Sequence, residues 1–292
     1  MYVVLGANGR AGGEAARALI ERGEAVRVVL RRKEQGGRWA ALGAEVAIAS
    51  IEDIDAMADA LKGASAAFLL NPPPVDGDPY ARTEELGAAL ARAVRRAHLP
   101  KAVVLSSIGA QHTSGTGVVA TLNRIEALLD EAAPATAFLR SGYFVETWSD
   151  VAGTVISQSV LPTFLDPSQR IPMVSTIDVG RATATLLRED WTGRRVVELS
   201  GPQDWSAGDV AAAFGDVLGR PVAPLPVPPE HRAALLAEEG VPGDVSSALL
   251  GMFEGIANGM FLRQDSSEQQ RGTTSLTSAI ERIVATAEPV GR

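Results

Sequence analysis

The chain has 292 residues, 46% of them hydrophobic and 21% charged, with a net charge of −8, three histidines and no cysteine. This length allows one large or two modest domains with a sizeable core. The acidic balance argues against nucleic acid as the main partner, and the lack of cysteine excludes disulfides, thiolate metal sites and a cysteine nucleophile. The histidines are widely spaced, so no metal site is expected. No apolar run reaches membrane-spanning length, and the chain opens on a strand without a basic leader. The expectation is a cytoplasmic protein that neither enters nor lies on a membrane.

The apolar run Tyr2-Val3-Val4-Leu5 turns sharply through Gly6-Ala7-Asn8-Gly9-Arg10-Ala11-Gly12. Ala15, Ala16, Leu19 and Ile20 then recur at helical spacing, and Ala25 to Leu30 reads as a second strand. Glycines at 6, 9 and 12 between a strand and a helix fit a phosphate-binding turn. Gly6 allows the tight exit, Gly9 lets a pyrophosphate approach the backbone, and Gly12 lets the helix pack close to the sheet. The helix N-terminus offers free N–H groups and a positive dipole end to the phosphates. The second strand ends in Arg31-Arg32-Lys33, where an acid would bind the ribose 2′-OH of NAD. Guanidinium groups pair with a 2′-phosphate, so this end favours NADP(H).

Further along, short helices are predicted over 38–42 and 54–61, the latter capped by Asp53. Strands are predicted over 45–49, 64–70, 102–105 and 135–139, and helices over 83–97 and 118–131. Apolar strands alternating with helices imply an α/β fold: a doubly wound parallel sheet covered on both faces. Ligands bind such sheets beyond the carboxyl ends of the strands. Three segments should therefore meet on one edge: Asn71-Pro72-Pro73, Ser106 to Gly109, and Arg140 to Phe144. A Rossmann domain over 1–150 is expected to bind the dinucleotide.

Beyond Trp148 the alternation becomes irregular. Strands are expected over 160–164, 170–173 and 195–199. Helices are expected over 176–187, with Asp178 in the first turn, and over 206–218, capped by Ser206 and ended by Gly219. A proline-dense connector spans 221–229. Helices follow over 231–239, 245–259 and 275–287. Residues 151–292 thus read as a smaller, mostly helical substrate lobe, some of whose elements return to the sheet. The helices over 83–97 and 118–131 either pair across a homodimer or are covered within a monomer.

The segments VLGANGRAG, VVLRR, LSSIGA, STIDVGRATATLL and FLRSGYFVETW resemble the NmrA-like branch of atypical short-chain dehydrogenases. The resemblance runs well over about residues 1–200 and loosely beyond. It implies an NADPH-dependent quinone, azo-dye or triphenylmethane-dye reductase, or a regulator that binds the dinucleotide without turnover. Carried over by position, it makes Gly6, Asn8, Gly9, Arg10 and Gly12 the phosphate turn and Arg31 the 2′-phosphate ligand, with Arg32 beside it. Asn71 and Pro72 would run under the cofactor ribose. Tyr143 and Phe144 would line the substrate side of the nicotinamide. Ser50-Ile51 departs from the acidic residue that often contacts adenine in the family.

A typical short-chain dehydrogenase passes a proton through a Tyr-x-x-x-Lys pair. The chain has three lysines, Lys33, Lys62 and Lys101, none three residues after an aligned tyrosine. Three readings follow. One is direct hydride transfer to a hydrophobic, electron-poor small molecule that needs no enzyme acid. Another is an NADP(H)-sensing regulatory protein. The last is a biosynthetic tailoring reductase or isomerase that uses an atypical acid. Tyr143 and His112 are the candidate acids. Ser106 is assigned to the cofactor, or to orienting a substrate oxygen alongside Ser107. Ile108 is placed with Tyr143 and Phe144 around the substrate. Arg140 is expected to pin Glu146 or a carbonyl.

Overall fold

Tyr2–Leu5 forms the first strand, β1, and Arg10–Ile20 the helix α1 that leaves it through the glycine turn. The structure is a computed structural model that describes residues 1–72 and 75–287. Next come β2 (Val26–Leu30), a short 3₁₀ turn, α2 (Gly37–Ala41) and β3 (Glu45–Ile48). Then follow α3 (Ile54–Leu61), β4 (Ala66–Leu69), α4 (Pro79–Arg96) and β5 (Lys101–Ser107). A 3₁₀ turn over Gly117–Val119 leads into α5 (Ala120–Leu129), and β6 (Ala135–Ser141) completes the first half. The second half holds β7 (Tyr143–Phe144), a 3₁₀ segment over Val145–Val151, α6 (Ala152–Gln158), β8 (Val160–Thr163) and β9 (Met173–Val174). It continues with α7 (Thr176–Arg188), β10 (Gly193–Ser200), α8 (Ala207–Leu218), β11 (Ala223–Pro226) and α9 (Pro229–Glu238). It ends with α10 (Gly243–Ala257), β12 (Glu268–Arg271) and α11 (Leu276–Thr286).

Eight strands form one parallel sheet in the order β12-β10-β6-β5-β4-β1-β2-β3. This is the expected doubly wound Rossmann architecture. The winding reverses between β1 and β4, and ligands bind at the crevice such a reversal opens. Successive residues point to opposite faces, so each strand feeds two cores. Val4, Val28, Phe68 and Leu139 pack with α1 and α7. Val3, Leu5, Leu69, Val104 and Phe138 pack with α3, α4 and α5. A third core, around Trp148, Trp205, Phe214 and Ile280, belongs to the C-terminal half.

The local signals placed several ends. Asp53 accepts from the Ala56 amide at the start of α3, and Ser206 and Asp209 form a reciprocal capping box on α8. Helix α4 begins four residues before the expected Thr83, because the Asp78 carboxylate caps it and Pro79 fits a first helical position. The predicted strand over 170–173 is instead an isolated bridge from Ile171 to Trp205 followed by β9. The proline-dense connector contains β11, which pairs with β8, a pairing open to prolines because it lies at a sheet edge. The polar β12 has no apolar pattern and completes the large sheet beside β10. Helices α4 and α5 pack on each other within the chain: a Cβ on Gly87 would lie 2.7 Å from Leu128. Among the described residues no helix is long and apolar enough to cross a membrane.

Candidate active site

The glycine turn is built as a cradle. Gly6 sits at φ +65°, and the Gly9 amide closes the turn onto the Gly6 carbonyl at 2.8 Å. A Cβ on Gly12 would stand 2.3 Å from the Gly6 carbonyl oxygen, so only glycine lets α1 start this close to β1. No side chain caps α1. Its first amides remain available to an anion, with the helix dipole behind them. At the crevice, Leu70 packs over the turn: a Cβ on Gly6 would lie 2.7 Å from its Cδ2.

Asn8 Oδ1 accepts from Arg38 Nη2 at 2.6 Å and from Trp39 Nε1 at 3.0 Å. Trp39 is buried, with the Arg17 and Arg38 guanidinium groups 5.8 and 5.2 Å from its ring centroid. The side chain of Asn8 therefore fixes the turn to α2 and brings Arg38 to its rim. Leu5 pairs with Val29 in the sheet, so Arg31 emerges level with Ala7. Arg31 and Arg32 are exposed, and among the described residues neither guanidinium has a hydrogen-bond or ion-pair partner. Arg10 opens α1 and reaches away from the turn, donating to Ser149 Oγ at 3.0 Å and to the Asp150 carboxylate.

Asn71 and Pro72 are half-buried at the end of β4, while Pro73 lies outside the described residues. Asn71 Nδ2 donates to Thr83 Oγ1 at 3.0 Å, and its buried Oδ1 has no partner among the described residues. An acceptor stranded beside the glycine turn is suited to a hydroxyl donor.

At the ends of β5 and β6 a narrow cavity opens. Ser107, Ile108, Gly142 and Tyr143 line one side, and Val119, Met252, Ile256 and Phe261 line the other. Ile108 and Tyr143 line this cavity together. Three expectations are corrected. Ser106 points the other way along β5 and donates to Glu126 Oε1 at 2.6 Å in the interior, so Ser107 presents the hydroxyl at the cavity. Phe144 alternates away from Tyr143 and packs on the core beneath α1 and α7. His112 is not a cavity residue: Nε2 lies 3.2 Å from the Met260 carbonyl and 3.3 Å from Gln111 Nε2, so its polar contacts lie within its own loop and the turn after α10.

The Tyr143 ring stands 6.2 Å from Trp148 at 54°. Burial pushes the Tyr143 phenol above its ordinary pKa, partly offset by a Thr147 hydrogen bond. It stays protonated through neutral pH. The helix α5 contains neither tyrosine nor lysine. There, Asn123 donates to the Ala110 carbonyl at 2.9 Å and Arg124 pairs outward with Glu84. Lys101 begins β5, at the opposite edge of the sheet. Arg140 pairs with Glu126, not Glu146; Glu146 accepts from Ser175 Oγ and the Thr176 amide at the start of α7.

The sequence model of the NmrA-like family matches residues 2–273. The chain belongs to this family. Among NmrA-like and related proteins, it is 22% identical over 249 residues to an NAD(P)H azoreductase from Xenophilus azovorans, covering 85% of each. It is 29% identical over 224 residues to a (4-alkanoyl-5-oxo-2,5-dihydrofuran-3-yl)methyl phosphate reductase from Streptomyces griseus, covering 76% of this chain and 75% of that one. The fold matches an NADPH-dependent quinone oxidoreductase from Escherichia coli solved with NADPH, at a TM-score of 0.80 and 22% identity over 97% of this chain and 99% of that one. It also matches the Citrobacter triphenylmethane reductase solved with NADP(H), at 0.81 and 18% over 97% and 100%.

Several residues of this NmrA-like site escape sequence reasoning. The cavity roof, Met252, Ile256 and Phe261, comes from a helix far along the chain and from the turn after it. Its only trace is a pair of apolar residues four apart. Arg38 and Trp39 sit in a short, glycine-flanked helix, where a lone tryptophan is the available signal.

Proposed function

We propose that the protein is an NADPH-dependent oxidoreductase that passes hydride to a hydrophobic, electron-poor small molecule, of the quinone, azo or cationic-dye class. The observation that carries this reading is an apolar, aromatic-sided cavity on the same sheet edge as the glycine cradle. Two to three strand spacings separate β1 from β5 and β6, roughly 10–14 Å, a span that an extended dinucleotide bridges. The residues present fit that group. The Gly12 cradle admits a pyrophosphate, the stranded Asn71 Oδ1 suits a ribose hydroxyl, and Arg31, Arg32 and Arg38 suit a 2′-phosphate.

When bound, the nicotinamide supplies the hydride. The chain's own part is to orient and to exclude water. Ile108, Met252 and Phe261 enclose the acceptor, Tyr143 stacks as a wall, and the Ser107 hydroxyl, which donates to the Ile108 carbonyl at 2.9 Å, leaves its oxygen to accept from a substrate donor. With no tyrosine–lysine pair on α5, the reduced product takes its proton from water.

The test is one cuvette. NADPH and NADH are titrated by fluorescence, then quinones, azo dyes and cationic dyes are added and absorbance is followed. Preferential NADPH binding with acceptor-dependent oxidation is expected. Tight binding without oxidation by any acceptor would replace the reductase with a dinucleotide sensor, whose affinities for the oxidised and reduced forms would differ.

A further inference from the structure

The geometry points to α10 and the turn that follows it, residues 243–261, as a substrate lid that stands closed and is built to open. The inference rests on the reading of the Ser107–Tyr143 cavity as the substrate site. That cavity has a free volume of only about 40 Å³, room for a few waters. Small-molecule sites run to about 300 Å³ or more. No ring-sized acceptor enters until Met252, which α10 carries into the roof, moves away.

Val245, Ala248 and Ile256 are buried along α10, but where the helix meets the loop over residues 115–117 the seam is nearly bare backbone. Gly251 and Gly255 lie one turn apart in α10, where glycine is among the poorest helix formers. Gly255 and the loop's Gly117 are required by contact. A Cβ on Gly255 would stand 2.6 Å from the Gly115 carbonyl, and one on Gly117 would stand 2.2 Å from the Ala248 carbonyl and from the Met252 amide nitrogen. Such a contact gathers little side-chain dispersion. It also traps a polar atom. Thr116, between the two loop glycines, is fully buried, and its hydroxyl has no partner among the described residues. Lifting α10 returns that hydroxyl to water, so the closed state carries a built-in penalty.

The outer side of the lid is lightly held, because the neighbouring α9 has no buried residue. Its C-terminal end is fastened: Gln169 Nε2 donates to the Ile256 carbonyl at 2.7 Å, and His112 Nε2 lies 3.2 Å from the Met260 carbonyl. Gly240 and Gly259, both at positive φ, flank the helix and supply the pivots. The N-terminal part of α10 is therefore the end that swings.

The experiment is native-state hydrogen exchange on the whole, cofactor-free protein, read by mass spectrometry. The α10 amides are expected to exchange at least 100-fold faster than those of β5, through a local opening. Thr116→Val removes the stranded hydroxyl at constant shape and should slow α10 exchange about tenfold with β5 unchanged, while Thr116→Ser keeps the original rate. Gly255→Ala, which cannot close onto Gly115, should speed α10 exchange at least tenfold. Exchange of α10 and β5 at one common rate, or no slowing in Thr116→Val, would overturn the lid. None of these readings needs turnover. A protein that fails with every quinone and dye yet shows this pattern keeps the lid and loses the reductase.

Discussion

Arg38 donates a 2.6 Å hydrogen bond to Asn8 across thirty residues of sequence, joining the short helix α2 to the glycine turn. The bond places a second guanidinium beside the exposed Arg31 at the edge where a 2′-phosphate would lie. A charge-assisted hydrogen bond is worth about 1.5–3 kcal/mol, or roughly 10–100-fold in affinity. Arg31→Ala should weaken NADPH binding by at least about tenfold at that rate and leave NADH binding unchanged. Arg38→Ala should weaken both, because it also releases Asn8 and the turn. Fluorescence titrations of the two nucleotides separate the roles; equal NADPH and NADH losses in Arg31→Ala would remove it from the 2′-phosphate site.

The three glycines of the turn do different work, and substitution separates them. A Cβ on Gly12 meets the Gly6 carbonyl oxygen at 2.3 Å, whereas one on Gly9 meets the same atom at 3.3 Å. Gly12→Ala should cost roughly 1–3 kcal/mol of stability through overpacking and abolish NADPH binding. Gly9→Ala should leave the denaturant midpoint near that of the parent but weaken NADPH, because its methyl group occupies the path of the phosphate. Paired urea melts and titrations report both; a Gly12→Ala protein of parental stability would contradict the close α1–β1 contact.

Where structure was local, the sequence carried it. The strands β1 to β6 are apolar runs with turn residues at their ends, and caps such as Asp53 and Ser206 act within three residues. The strand β12 was illegible because its sequence, Glu268 to Arg271, is polar. Its neighbourhood is held by distant partners: Glu198 accepts from the Gln264 amide and from Gln269. The site divides the same way. The glycine turn and Ile108 are set by chain-local geometry. The split between Tyr143 and Phe144, and the turn of Ser106 toward Glu126, depend on which face of a strand meets which core. The cavity roof depends on where α10 docks, which no short-range pattern encodes.

Tyr143 tests whether an enzyme acid is needed. A general acid contributes about 10²–10⁴-fold. If Tyr143 acts as a wall, Tyr143→Phe should hold kcat within about tenfold of the parent, well short of that contribution, while Tyr143→Ala raises KM. The phenol also predicts a pH effect. Burial raises its pKa above the ordinary 10.0, so the neutral form is favoured in the folded state. The stability this gives is complete below pH 10 and is lost as pH climbs through the raised value, because unfolding frees the phenol to ionise. Urea midpoints of Tyr143→Phe should therefore fall less steeply above pH 10 than those of the parent. A kcat loss beyond 100-fold would instead make Tyr143 the proton donor.

Glu126 and Arg140 form a buried, two-pronged pair, with Arg140 Nε 2.8 Å from one carboxylate oxygen and Nη2 2.7 Å from the other. Ser106 donates to the same carboxylate, and Arg140 Nη1 reaches Gln264 Oε1 at 2.9 Å. The pair thus ties α5, β5 and β6 to the segment leading into β12. Removing the Glu126 charge leaves Arg140 facing the buried Glu198 at 3.9 Å, too far for a hydrogen bond, at a cost of about 3–5 kcal/mol. Glu126→Gln should lose that much in urea unfolding. Any folded fraction should bind NADPH with parental affinity, since the pair lies below the sheet edge and touches neither the glycine turn nor Arg31. The double variant Glu126→Leu/Arg140→Met should not recover the loss, because Arg140 also faces the buried Glu198 at 3.9 Å and its removal leaves that carboxylate without a cation among the described residues. A Glu126→Gln protein with parental stability and weakened NADPH binding would move this pair from the framework into the cofactor site.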